Sequence, residues 1–118
     1  MKKVALITGG ARGIGKCIVE SLCKDGYIVV VNYFNSVERA MELEKELKKS
    51  NCECMFVRAD ISNEIQVSDM TNKIMKQYGR IDILINNSAI TNDSTIHLPI
   101  PLAPPVIKAT FFIIFSFN

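Results

Sequence analysis

The sequence predicts an α/β protein, a doubly wound parallel sheet of strand order 3-2-1-4, truncated to about half a sheet, with a further C-terminal strand as an option. Three observations lead there. Short, nearly all-apolar runs at residues 4–7, 28–31, 54–57 and 81–85 read as strands covered on both faces. Helix-forming amphipathic stretches separate them. The connections are short, and right-handed crossovers between parallel strands then give the order 3-2-1-4 with helices on both faces.

Taken in order, the first strand runs into Thr8-Gly9-Gly10-Ala11-Arg12-Gly13-Ile14-Gly15, a glycine-punctuated turn. From Gly13 to roughly Lys24 the pattern is helical, with Ile14, Cys17, Ile18 and Leu22 on one face, and Gly26 supplies a stop. After the second strand, Ser36 is placed to cap a helix over 38–48 that is rich in opposite-charge pairs one turn apart, and Asn51 ends it. The third strand finishes at Arg58-Ala59-Asp60. Ser62 is placed to cap the next helix, whose apolar side is Ile65, Met70, Ile74 and Met75, and Gly79 closes it. The fourth strand ends at Asn86-Asn87.

Composition narrows the function classes. The 118 residues make one small domain, and 48% apolar content with a mean hydropathy of +0.19 excludes a disordered chain. The net charge of +2 comes from interspersed residues, so no basic stripe points to nucleic acid or to an anionic membrane. Lys2 and Lys3 precede an apolar run that Thr8, Gly9 and Gly10 break too early for a secretion signal, and a cytoplasmic location is expected. Cys17, Cys23, Cys52 and Cys54 form no paired C-x-x-C, and His97 stands alone, so no metal site is expected. All four cysteines read as reduced, part-buried small hydrophobes.

The composition changes near Ser94, which divides a half-domain at 1–93 from a tail at 94–118. Beyond Ser94 the one formally charged residue is Lys108, and Pro99, Pro101, Pro104 and Pro105 exclude a helix interior or central strand there. The run at 110–118 is too short to span a bilayer as a helix. It can form a fifth strand, a buried helix fragment or an unpaired hydrophobic end prone to aggregation.

The order strand, glycine turn, helix brings a backbone close to a pyrophosphate and aims helix-terminal N–H groups at it. Dinucleotide binding is the reading this supports, against glycines that merely shape a turn. Gly9 and Gly13 take backbone angles other residues resist, Gly15 permits close helix–strand contact, and Thr8 and Ile14 flank them. The second strand ends in Asn32 and Tyr33 where a ribose is read, with no carboxylate to repel a 2′-phosphate. Arg12, if it does not simply face solvent, can grip that phosphate, which favours NADP over NAD. Asp60 is placed to accept from the adenine amino group with Ile61 against the ring, although an Asp there is also an ordinary loop residue. Asn86, Asn87, Ser88 and Ala89 lie at the topological switch point, where Asn86 can hold the glycine loop or the ribose.

These stretches resemble the short-chain dehydrogenase/reductase family, a Rossmann-like fold. Residues 8–15 match its T-G-x-x-x-G-x-G motif, Asp60 its adenine-contacting acid, and Asn86-Asn87-Ser88-Ala89 its N-N-A-G stretch, with Ser88 and Ala89 replacing alanine and glycine. The likeness covers roughly residues 1–95 and is nearest to 3-oxoacyl-acyl-carrier-protein and acetoacetyl-CoA reductases. It implies an oxidoreductase with NADP(H), a carbonyl substrate such as a 3-oxoacyl thioester, and a place in fatty acid biosynthesis. The family's catalytic serine, tyrosine and lysine have no match: Tyr27, Tyr33 and Tyr78 lack a lysine four positions on, so no catalytic residue is assigned. The family assembles through later helices, so its usual homo-oligomer interface is expected to be missing. The expectation is a cofactor-binding fragment without turnover alone. The alternatives are a nucleotide-binding or cofactor-sensing module acting with a partner chain, and a truncated reading of an active reductase frameshifted near 94–98.

Overall fold

A computed structural model describes residues 2–11 and 13–86, together with the backbone of 112–114. The elements follow one another as β1 (Val4–Thr8), α1 (Gly13–Lys24), β2 (Ile28–Tyr33), α2 (Val37–Lys49), β3 (Cys54–Arg58), α3 (Glu64–Tyr78), β4 (Ile83–Asn86) and β5 (Phe112–Ile114). They form one parallel sheet of order β3-β2-β1-β4-β5. The expected order 3-2-1-4 is therefore what forms. Of the three options for the tail, the strand is the one its described backbone takes. Phe112–Ile114 adds to the outer edge of β4 in the register Leu84↔Phe112, Ile85↔Ile113, Asn86↔Ile114. The expected boundary between residues 93 and 94 lies outside the described residues.

Strand alternation sorts the core into two layers. Val4, Leu6, Ile28, Val30, Val57 and Leu84 face α3, where they meet Met70 and Ile74. Ala5, Ile7, Val29, Val31 and Ile85 face the other way, onto Val19 of α1 and Leu43 and Leu47 of α2. Every residue of β1 is buried, as the middle strand of a sheet covered on both sides requires.

The helix ends correct two expectations. Ser36 occupies the N-cap position of α2, but its hydroxyl makes no capping bond. At α3 the cap is Asn63 rather than Ser62. Asn63 Oδ1 accepts from the Ile65 and Gln66 N–H groups at 3.0 and 3.1 Å, while the Ser62 hydroxyl donates to Asp60 Oδ1 at 2.6 Å. Gly79 ends α3 at φ 75° and Gly26 follows α1 at φ 88°, the left-handed conformations for which glycine suits a helix stop. Asn51, at φ 57°, does the same after α2.

Two long-range ties close the sheet at its amino edge. Asp82, just before β4, is buried; its N–H donates to the Val4 carbonyl, and its Oδ2 accepts from the Val4 N–H, both at 2.8 Å. Arg80 grips the same carboxylate with Nε at 2.8 Å and Nη2 at 2.5 Å. The second tie corrects the expectation of four free thiols. Cys23 at the end of α1 and Cys52 after α2 form a disulfide with a Cα separation of 5.8 Å, and Cys17 and Cys54 stay free. Among the described residues no helix is long and apolar enough to cross a membrane, and no His, Cys, Asp or Glu group could hold a metal.

Candidate functional site

All strands run parallel, so their carboxyl ends share one edge of the sheet, and the glycine turn after β1 crosses it. Gly9 and Gly13 sit at φ 62° and 61°, which bends the chain off β1 and into α1. Gly10 carries the steric constraint. A Cβ there would stand 3.1 Å from Val19 Cγ2 and Val31 Cγ1, and 3.2 Å from Ile7 Cγ2. The turn thus lies flat on the core, and the Gly10 N–H donates to the Asn32 carbonyl at 3.2 Å, fastening it to the end of β2. Gly15 is buried in the first turn of α1, while Gly13 and Ile14 are exposed at the helix entrance. A helix entrance favours an anion, because its first N–H groups point outward along the axis.

At the switch point between β1 and β4, Thr8 and Asn86 are register partners, and both are buried. Thr8 Oγ1 donates to Asn86 Oδ1 at 2.8 Å. That bond orients the amide and leaves Asn86 Nδ2 buried without a hydrogen-bond partner. A buried donor without an acceptor costs about 1–3 kcal/mol. Such an orphan, at the sheet edge where ligands of doubly wound folds sit, fits an acceptor supplied from outside the described chain.

The ends of β2 and β3 form the neighbouring wall. The Asn32 side chain is buried, and its Nδ2 donates to the Ala59 carbonyl at 3.1 Å, with Val57 O at 3.5 Å. This amide therefore ties two strand ends together, at the strand end where the ribose reading was placed. Tyr33, next along the strand, is half-buried and presents the opposite face. Asp60 holds its place through Ser62: Oδ1 accepts the Ser62 hydroxyl at 2.6 Å and its N–H at 3.0 Å. Those two bonds hold its carboxyl below the usual range, so it is an anionic acceptor at neutral pH. The Asp60 N–H donates to Gln66 Oε1 at 2.8 Å, which fixes the turn carrying half-buried Ile61.

The structure thus brings Thr8, Gly9, Gly13, Ile14, Gly15, Asn32, Tyr33, Asp60, Ile61 and Asn86 to one edge of the sheet. Arg12, Asn87, Ser88 and Ala89 lie outside the described residues. Gly10 was not singled out from the sequence as a contact residue, although its place directly after Gly9 in the turn was a usable signal. Residues and spacing fit a dinucleotide: a close-lying turn, an open helix entrance, an orphaned donor and an anionic acceptor. The groove lined by Glu20, Lys24, Glu46 and the Cys23–Cys52 bond belongs to the opposite edge, where α1 and α2 end.

A family model described as short chain dehydrogenase matches residues 3–100. The 3-oxoacyl-acyl-carrier-protein reductase FabG of Staphylococcus epidermidis is 37% identical over 94 residues, 80% of this chain and 38% of that protein. The short-chain dehydrogenase/reductase homolog YusS of Bacillus subtilis is 39% identical over 99 residues, 84% of this chain and 87% of its relative. Among solved structures, a short chain dehydrogenase from Burkholderia cenocepacia in complex with NADP shares 34% identity at a TM-score of 0.69, covering 75% of this chain and 36% of that one. The chain therefore spans well under half of the reductase and of the solved structure it matches. Matched by the family model across most of its length and sharing the sheet of solved members, the chain belongs to the short-chain dehydrogenase/reductase family.

Proposed function

We propose that this chain is the NADP(H)-binding portion of a short-chain reductase. The observation that carries the reading is the Thr8–Asn86 pair, whose orphaned amide donor lies beside the glycine turn at the switch point. The α1 entrance at Gly13 and Ile14 would take the pyrophosphate, Asp60 and Ile61 the adenine, and Asn86 a ribose or the turn beside it. Asn87, Ser88 and Ala89 would continue that wall. Asn32 and Tyr33 put no carboxylate at the end of β2, and with Arg12 in the glycine turn this favours NADP over NAD. The NADP held by the Burkholderia relative supports the same choice.

Bound NADPH supplies a hydride; the protein must add orientation and a proton. This chain binds and orients, and no tyrosine–lysine pair at the family spacing is there to move the proton. The carbonyl compound would be of the 3-oxoacyl thioester class, as the similarity to the staphylococcal reductase supports, and fatty acid biosynthesis its setting. A cytoplasmic location and no turnover by these 118 residues alone complete the proposal. A second reading, a cofactor-sensing module acting with a partner chain, draws support from the Bacillus homolog, 87% of which this chain covers.

Calorimetric titration of the 118-residue chain with NADPH and NADH tests the proposal. Saturable binding with NADPH the tighter ligand is expected, and Arg12→Ala should weaken NADPH more than NADH. Equal loss for both, or none, overturns the phosphate role of Arg12; no binding by the parent chain overturns the function.

A further inference from the structure

Arg58 closes β3 directly beside Tyr33, its register partner at the end of β2. Both continue the strand faces that carry Val31 and Phe56, the face on which the glycine turn and α1 pack. The two strand ends are stitched together there, since the Ala59 N–H donates to the Tyr33 carbonyl at 3.0 Å. The turn is stitched to the same place through Gly10 and the Asn32 carbonyl. Arg58 is thus one strand beyond the point where a dinucleotide's adenosine ribose would lie.

Its side chain is exposed yet held from two sides. Nε donates to the Phe34 carbonyl at 3.0 Å, and the guanidinium carbon stands 5.1 Å from the centre of the Phe34 ring. The stack and the bond use the face and the inner edge of the fork. The terminal nitrogens have no hydrogen-bond or ion-pair partner among the described residues. No carboxylate follows on β2 to neutralise the charge, because the residues there are Asn32, Tyr33, Phe34 and Asn35. A planar fork fixed at one edge, with its outer N–H groups free, is the arrangement that grips a phosphate in two places at once.

We propose that Arg58, clamped by Phe34, is a specificity-determining residue for the 2′-phosphate of the dinucleotide. The proposal rests on the NADP(H) reading above and adds to it a second guanidinium besides Arg12. Because the clamp is built before the ligand arrives, little side-chain entropy is lost on binding.

The test titrates NADPH and NADH into the parent chain and into Arg58→Gln and Arg58→Glu, with the fluorescence of the reduced nicotinamide as signal. Loss of a charge-assisted bond should weaken NADPH about tenfold in the Gln variant and further in the Glu variant. NADH affinity should stay as it was, which also shows that the variants fold. Equal weakening of both dinucleotides would overturn the proposal in favour of a contact to the adenine or the shared ribose. Unchanged NADPH affinity would overturn it while leaving the NADP(H) reading standing. A parent chain that binds neither would overturn both.

Discussion

Thr8 and Asn86 show how a single buried bond can serve two ends. Thr8 Oγ1 satisfies Asn86 Oδ1, and that same bond fixes the amide so that Nδ2 stays without a partner. Thr8→Val alone should cost about 1–3 kcal/mol, because it leaves a buried carbonyl oxygen unsatisfied in the sheet. The double variant Thr8→Val/Asn86→Val should recover most of that loss, since both polar groups disappear together and valine suits a central strand. Urea denaturation of the parent, both singles and the double forms the cycle. A double variant as unstable as the sum of the singles would contradict this account. The placement of Thr8 and Asn86 at the switch point was legible in the sequence because both fall at strand ends flanking the glycine turn. The buried tie made by Asn32 was not, because the alternation that turns its amide toward β3 depends on where β2 ends.

Element ends were decided by competition between neighbours. Ser62 was the expected cap, and its neighbour Asn63 is an equally good capping residue. Asp60 captures the Ser62 hydroxyl and N–H, and Asn63 is left to cap α3. Asn63→Ala should therefore destabilise the protein by about 1 kcal/mol, whereas Ser36→Ala, which removes no capping bond, should change it by under about 0.5 kcal/mol. The check is the shift in thermal midpoint of each variant, and equal shifts would count against the assignment. Strand and helix identities were easier to read. Apolar runs of four or five residues, bounded by glycine or asparagine stops, leave little choice of period.

Across the whole molecule, the sheet holds two apolar layers apart and is pinned at one edge, opposite the edge proposed to bind the dinucleotide. The pin is Asp82, which joins β4 to the start of β1 across 78 residues. Burial alone would raise its pKa, but the bonds from Arg80 and the Val4 N–H, with the Arg80 and Lys3 charges, hold it below the ordinary value of 3.8. A carboxylate depressed in the folded state contributes stability that is complete above its unfolded pKa and vanishes as the pH falls through the lower folded one. The parent should therefore lose stability below about pH 4 more steeply than Asp82→Asn. Denaturation midpoints across the acid range read the difference, and parallel curves would exclude Asp82 as the source. Neither this pin nor the Cys23–Cys52 bond was legible locally. Each joins residues that meet only once α1 packs beside α2 or β4 joins β1.

The central claim is that the carboxyl edge of the sheet is a dinucleotide site. Amide chemical-shift mapping of the 15N-labelled chain during an NADPH titration tests it most directly. The account predicts saturable shifts at Gly9, Gly13, Ile14, Asp60 and Ile61, and a large shift of the Asn86 side-chain amide as Nδ2 gains its acceptor. Shifts confined to the groove beside Cys23 and Cys52, or none at saturating NADPH, would contradict it.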